Sequence, residues 1–479
     1  MKMKEVRTRF APSPTGFMHI GGVRTALYAY LMAKQNNGKF ILRIEDTDQS
    51  RFVEGATEVI YSTLKDLGLN WDEGPDIGGP VGPYVQSERK GRYIEYAKRL
   101  VSEGKAYYCF CKEERLEEIK KMAELSHIAY RYDGYCRSLS LEEAQKRVEA
   151  GEEYVIRFKM PNEGTTVFED CVYGTIVVNN DELEDLIMIK SDGMPTYNFA
   201  NIIDDHEMGI SHVIRGNEYV SSTPKYILMY QALDFEVPEF IHLPVIKKNK
   251  DSDKKLSKRD GDATVDALKA KGYLNAAIIN MLALTGWSSG KEQEIFSLEE
   301  LVKAFDVNGI GKGNAIFDTE KLNWLNSHYI KELSKDDLYN FLYPFVSKNY
   351  DLKDKSREWL DELFSLFKKQ LSFGEEIVDL ASMFFVSNYR MDDEALEFMK
   401  QDGVDNTIEV FAKEIKAISE WNIENISNAI NATKEKALVK GKMLYMPIMI
   451  KLIGKMHGPE LPNIIYLLGK EKVFDRLSK

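Results

Sequence analysis

The chain has 479 residues, 44% hydrophobic and 29% charged, with 14 prolines beside 32 glycines. At roughly 150 residues per domain that is about three domains of ordinary globular texture, which excludes a disordered, collagen-like or fibrous chain. The formal net charge of −12 means that affinity for a phosphate backbone needs a local basic surface, because net attraction cannot supply it. Four cysteines, Cys109, Cys111, Cys136 and Cys171, are too few and too clustered for a secreted disulfide framework. The N-terminal MKMKEVRTRF lacks the apolar core of a signal peptide, and no apolar run approaches the roughly 18 residues of a membrane span. A soluble, cytoplasmic protein without a membrane partner is expected.

In chain order, Val6 to Ala11 reads as a strand, and Pro12-Ser13-Pro14-Thr15-Gly16 as a turn, since proline removes backbone donors and restricts its predecessor. Val23, Ala26, Leu27, Tyr30 and Leu31 recur at helical spacing, with Asn36-Asn37-Gly38 as a stop. Phe40 to Ile44 is a second strand running into Glu45-Asp46-Thr47-Asp48. Strand, helix, strand predicts a right-handed βαβ unit in a parallel sheet. The acidic cluster has a plain reading as caps for a helix starting near Arg51. From about Glu88 the texture changes to a helix through Leu100, a cysteine-bearing stretch, then β-rich Tyr154–Lys159 and Gly174–Val178, which reads as an insertion. Alternation resumes near Met194, and Ser221-Ser222-Thr223-Pro224 starts a helix through Ala232. Asp204-Asp205-His206 invites a metal reading, but on a strand consecutive residues face opposite sides, so joint ligation is not expected and a structural or partner-contacting role is. From Lys247 the polar run KKNKDSDKKLSKRDGD follows, and beyond Thr264 the pattern is helical.

Two stretches carry chemistry. In RFAPSPTGFMHIGG a strand and a stiff turn deliver His19, Gly21 and Gly22 to a helix N-terminus. Unpaired N–H groups there, with glycines that let a ligand approach the backbone, suit a nucleotide phosphate. His19 can donate to a phosphate whose charge grows in the transition state; a capping histidine is the alternative reading. Lys255-Leu256-Ser257-Lys258-Arg259 lies where seven basic residues outweigh two acidic ones between Lys247 and Arg259. Lysines there can neutralise the β- and γ-phosphates as pyrophosphate leaves; a solvated lysine loop is the alternative.

Together PSPTGFMHIGG, FILRIEDTD, GMPTYNFANIIDDH with VIRGNEY, and KLSKRDG resemble class I aminoacyl-tRNA synthetases, specifically the bacterial-type glutamyl-tRNA synthetases. Gly22 stands where many other class I enzymes have a second histidine, which the glutamyl branch commonly lacks. The resemblance implies an α/β chain with a Rossmann-like parallel-sheet catalytic domain and an α+β insertion, followed by a mainly α-helical C-terminal half. It divides the chain into a catalytic domain (1–87 and 194–246), an acceptor-stem-binding insertion (88–193), a stem-contact region carrying the KLSKR loop (247–334) and an all-helical anticodon-binding region (335–479). The implied activity is glutamate–tRNA ligation with ATP as substrate and Mg2+ assisting, tRNA(Glu) and L-glutamate as partners, and a monomeric enzyme.

By that resemblance His19, Lys255 and Lys258 are catalytic, and ATP is bound by them with Gly21, Gly22 and Glu218. Arg9, Ser13, Glu45, Tyr197, Asn201 and Arg215 contact glutamate. The chemistry agrees: two carboxylates and one ammonium ask for two cationic forks and one anion, and a guanidinium facing the side-chain carboxylate disfavours glutamine, whose amide offers donors instead. The residues leave open which arginine meets which carboxylate. Cys109, Cys111 and Cys136 resemble the zinc site of some members, but the fourth-ligand position is Ser138, a poor ligand, so zinc is not expected unless His127 or another residue supplies the bond. A glutaminyl-tRNA synthetase, whose usual anticodon region is β-barrel, a non-catalytic tRNA-binding paralogue, and a shorter tRNA-modifying relative are the rivals. The helical tail, the joint presence of His19, Lys255 and Lys258, and the chain length argue against them in turn. Lys434, Lys436, Lys440 and Lys442 could meet tRNA phosphates, though exposed helix charge is the commoner explanation.

Overall fold

A computed structural model describes residues 5–48, 50, 53–128, 130–248, 264–386 and 390–478. It begins with strand β1 (Arg7–Phe10), the helix Ile20–Gln35 and strand β2 (Lys39–Leu42), β1 and β2 running parallel with Arg7 opposite Lys39 and Phe10 opposite Leu42. The helix packs Ile20, Val23, Ala26, Leu27 and Leu31 inward, each large side chain so buried being worth about 2 kcal/mol. It stops at Asn36, and Asn37 takes a left-handed φ of 51°. Gly38 follows because any Cβ there would stand 1.9 Å from the Val6 carbonyl oxygen.

Strands β3 (Ala106–Cys109), β4 (Val155–Phe158), β5 (Thr165–Asp170), β6 (Gly174–Asn179), β7 (Ile187–Ile189), β8 (His212–Gly216) and β9 (Glu239–Leu243) complete two sheets. The main sheet has the order β2-β1-β8-β9-β5-β6, parallel throughout except for the β5–β6 hairpin. A small antiparallel sheet has the order β3-β4-β7. Strands β5 and β6 fall in the stretch 88–193 read from sequence as an insertion, and they form one edge of the main sheet. In an open parallel sheet ligands gather beyond the C-terminal strand ends, and β1, β8, β9 and β5 end there side by side.

One local expectation is corrected, and one lies outside the described residues: Arg51, near which a helix is expected to start, is not among them. Beyond it the helix Ala56–Asp66 begins behind Gly55, and Asp46 accepts from the Ser87 N–H at 2.8 Å. Asp204, Asp205 and His206 lie on a helix, Tyr197–Glu207, and not on a strand. Their neighbours in sequence share a face at helical spacing, so both aspartates turn into the core while His206 stacks on Phe235.

The described residues divide into two compact units, Met1–Leu268 with Asn275–Thr319, and Lys269–Leu274 with Glu320–Lys479. The second is helical, with no strand among its described residues. Ser334, Ser356, Asp392 and Asn422 cap its helices, each side-chain oxygen accepting a first-turn N–H. Its core is apolar, built on residues such as Leu342, Phe364, Phe367, Phe384, Phe411 and Ile464. Among the described residues no helix is long and apolar enough to cross a membrane.

Candidate active site

Beyond the strand ends of the first unit lies a cavity of about 760 Å3. Arg9, Ser13 and Thr15 line it from β1 and the proline turn, Glu45, Thr47 and Asp48 from beyond β2, Tyr197 from the helix Tyr197–Glu207, and Arg215 and Gly216 from β8. Of the six residues expected to hold glutamate, five meet here. Asn201 does not line the cavity: one turn past Tyr197, it donates its Nδ2–H to the Tyr197 carbonyl at 2.9 Å.

Beneath the cavity is a buried ion network. Arg9 grips Asp205 with Nε and Nη2 at 3.0 and 3.2 Å. Arg43 reaches Asp205 at 2.8 Å and Glu45 at 2.9 Å. Asp204 accepts from Arg89 at 2.6 Å, from Gln86 at 2.9 Å and from the Tyr93 hydroxyl at 2.9 Å. Charges this deep survive only when paired and hydrogen-bonded, which is why Asp204 and Asp205 are structural. Burial alone would raise the Asp205 carboxyl, but Arg9 and Arg43 outweigh it and hold it low. Glu45 goes the other way: burial outweighs Arg43 and Arg9 and pushes its carboxyl up to about 7. Burial also pushes the Tyr197 hydroxyl well up, keeping it a neutral donor.

A second cavity of about 180 Å3 is lined by His19, Gly21, Arg24, Glu218, Pro244 and Ile246 and shares Gly22, Thr25 and Gly216 with the first. His19 is the N-cap of the helix Ile20–Gln35, its Nδ1 accepting from the Gly21 N–H at 3.0 Å. With Nδ1 as acceptor, the neutral ring carries its proton on Nε2 as a donor. The capping and the phosphate-donor readings are thus compatible: one nitrogen caps and the other can serve a ligand. A Cβ on Gly21 would stand 3.1 Å from His19 Nδ1, so the glycine protects that hydrogen bond. Lys255 and Lys258 lie outside the described residues; downstream of them Thr264 forms an antiparallel bridge with His19.

The sulfur atoms of Cys109, Cys111 and Cys136 lie within 4.8 Å of one another. The exposed His127 is not in this cluster; the Tyr132 hydroxyl lies beside it, 3.2 Å from Cys109 Sγ and 3.4 Å from Cys111 Sγ. Hydrogen bonds from Cys136 and Tyr132, helped by Arg157, pull the Cys109 thiol well below its ordinary range. Sequence reasoning passed over Tyr132 and Lys190, and read Thr47 and Asp48, which line the large cavity with Lys190, as helix caps. For Asp48 there was a signal, its place at a strand's C-terminal end; for Lys190 there was none. In the tail, Lys436 is tied to Glu414 at 2.7 Å.

Residues 5–324 match the family described as tRNA synthetases class I (E and Q), catalytic domain, and residues 337–479 match the anticodon binding domain. The chain is 48% identical over 486 residues to the glutamate–tRNA ligase of Clostridium novyi (strain NT), covering 100% of this chain and 98% of that one. It is 47% identical over 488 residues to the glutamate–tRNA ligase of Finegoldia magna, covering 100% and 99%. Among solved structures, a glutamate tRNA ligase from Elizabethkingia meningosepticum CCUG26117, in complex with its amino acid, is similar over 99% of each chain at 37% identity, with a TM-score of 0.91.

Proposed function

This chain belongs to the class I tRNA synthetases of the glutamate and glutamine type, and from that premise we propose how its residues join glutamate to tRNA. The activity is that of a glutamate–tRNA ligase. The glutamate α-carboxylate attacks the α-phosphorus of ATP, giving glutamyl-adenylate and pyrophosphate. The terminal ribose hydroxyl of tRNA(Glu) then attacks the activated carbonyl and AMP leaves. No covalent enzyme nucleophile is needed, so catalysis is alignment and charge stabilisation.

The observation that carries the assignment of roles is the convergence of Arg9, Glu45 and Arg215 on one cavity that shares a wall with the one lined by His19. Glutamate occupies the larger cavity. Ionised Glu45 takes the ammonium, Arg9 and Arg215 the carboxylates, and the Ser13 and Tyr197 hydroxyls complete the shell.

ATP lies over Gly21 and Gly22 at the helix N-terminus, with Glu218 at the ribose and His19 Nε2–H donating to a phosphate. Lys255 and Lys258 neutralise the departing pyrophosphate. Lys258 stands six residues before Thr264, a chain reach of at most about 21 Å from the residue that bridges His19. Magnesium, when bound with ATP, would supply charge neutralisation for the phosphates, and Glu218 is the one carboxylate that the described lining of the smaller cavity offers it.

The tRNA is met by the insertion 88–193 at its acceptor stem, by 247–334 along the stem and by 335–479 at the anticodon, and the enzyme acts as a cytoplasmic monomer. Zinc, which the sequence disfavours for want of a ligand at Ser138, finds a fitting donor set in three converging thiols with the Tyr132 hydroxyl beside them. Held by Cys109, Cys111 and Cys136, it would stiffen the insertion. Elemental analysis of purified protein should give one zinc per chain, lost in Cys136→Ser; metal-free protein with full activity would remove it. The function itself is tested by pyrophosphate exchange into ATP with tRNA(Glu) present. Glutamate should support exchange and glutamine should not, and equal exchange with both would overturn the assignment.

A further inference from the structure

The C-terminal ends of β5, β8 and β9 hold a chain of buried groups that the mechanism above does not use. Arg215 on β8 and His242 on β9 are register partners, and Asp170 closes β5 beside Phe240. His242 and Asp170 are both buried. Asp170 Oδ2 lies 2.6 Å from His242 Nδ1 and accepts from the His242 backbone N–H at 3.3 Å. Its Oδ1 accepts from the backbone N–H groups of Val172 and Tyr173, both at 2.9 Å. A carboxylate so loaded is ionised; burial opposes this, but His242 and the two amides hold its carboxyl low.

An ionised acceptor at Nδ1 fixes the imidazole proton there and leaves Nε2 as a lone pair. Arg215 Nε–H donates to that lone pair at 3.0 Å, and its Nη2–H donates to the Thr223 hydroxyl at 2.7 Å. Burial first, and Arg215 next, push the His242 ring down, so it stays neutral against the guanidinium. The face of Arg215 is further enclosed by the rings of Tyr219, Tyr226 and Phe240 at 4.8 to 5.2 Å. Among the described residues no carboxylate stands within ion-pair distance of Arg215. Arg9, by contrast, is paired with Asp205 through Nε and Nη2, its Nη1 lying 3.4 Å from the Ile214 carbonyl. Both arginines line the same cavity, but Arg215 alone presents an uncompensated charge.

We propose that Asp170 and His242 are positioning residues for glutamate: they hold Arg215 by a neutral acceptor, so that its orientation is fixed and its full charge remains for a substrate carboxylate. Nη1 is the nitrogen left for that contact. The inference rests on the assignment of Arg215 to the glutamate pocket. Replacing Asp170 by asparagine would offer Nδ1 a donor, drive the ring proton to Nε2, and set N–H against N–H at Arg215. Leucine at 242 would remove the acceptor, and glutamine there would restore one through Oε1.

The test is steady-state kinetics of the full-length enzyme on Arg215→Ala, Asp170→Asn, His242→Leu, His242→Gln and the double variant Asp170→Asn/His242→Gln, each first shown folded by circular dichroism. Asp170→Asn and His242→Leu should raise KM for glutamate roughly tenfold or more, as loss of a charge-assisted hydrogen bond requires, with KM for ATP unchanged within about twofold. His242→Gln should recover most of the loss seen in His242→Leu. In the glutamine background the Asp170 change should add nothing, since no tautomer remains to control. That double variant decides the point even if Asp170→Asn alone does not fold. Arg215→Ala with an unchanged KM for glutamate would defeat the pocket assignment itself. A raised KM in Arg215→Ala with unchanged values in Asp170→Asn and His242→Leu, or equal rises for glutamate and ATP, would overturn the positioning role alone.

Discussion

The two arginine walls of the large cavity solve one electrostatic problem in opposite ways. On the Arg9 side, charge is matched inside the protein: Arg9, Arg43 and Arg89 face Asp205, Glu45 and Asp204 in a buried network of which Arg9 and Glu45 reach the cavity wall. On the Arg215 side the cation rests on a neutral imidazole and a hydroxyl. The comparison separates two uses of a buried arginine. One that is already paired shapes a site and, at Asp205, keeps its carboxylate partner ionised, whereas one held by neutral acceptors stores an attraction that an anionic ligand satisfies.

The largest expected effect of that difference is on stability. Arg9→Ala leaves Asp205 with Arg43 as its remaining partner and should cost about 3–5 kcal/mol, as breaking a buried pair does. Arg215→Ala abandons only neutral acceptors and should cost about 1–2 kcal/mol. Urea denaturation of both variants measures the gap, and equal losses would break the comparison. Next in size is a pH effect on the shared partner, Glu45. With its carboxyl pushed up to about 7 by burial, a proton competes with the glutamate ammonium below that pH. Binding should be unaffected at pH 8 and about tenfold weaker at pH 6, following the ionised fraction. Glu45→Gln should bind weakly at both, and a KM for glutamate that is flat over this range would show that Glu45 does not carry the ammonium.

The contrast also explains what was legible in the sequence. Local signals survived: the Pro12-Ser13-Pro14 turn, the Asn36-Asn37-Gly38 stop and the Pro224 helix start all depend on residues adjacent in the chain. The arginines Arg9 and Arg215 and the carboxylate Glu45 were found through the resemblance and through the match of two cationic forks and one anion to glutamate's charges. Their partners were not. Asp205 lies 196 positions from Arg9, and Asp170 lies 72 from His242, separations at which spacing carries no information. The helix Tyr197–Glu207 was misread for a related reason: it buries Asn201, Asp204 and Asp205, so the polar residues that should mark a solvent face mark the core. Tyr132 was invisible as a neighbour of the thiols because only the fold brings it back onto Cys109.

The central claim is that His19 and the distant KLSKR segment act on one bound ATP. Glutamate-dependent pyrophosphate exchange, measured with tRNA(Glu) present for the wild type, His19→Ala and Lys258→Ala, tests it most directly. Each variant should lose about 100- to 1000-fold in exchange, the usual consequence of removing one donor to developing charge, while tRNA binding is retained. Exchange at the wild-type rate in Lys258→Ala would contradict the claim.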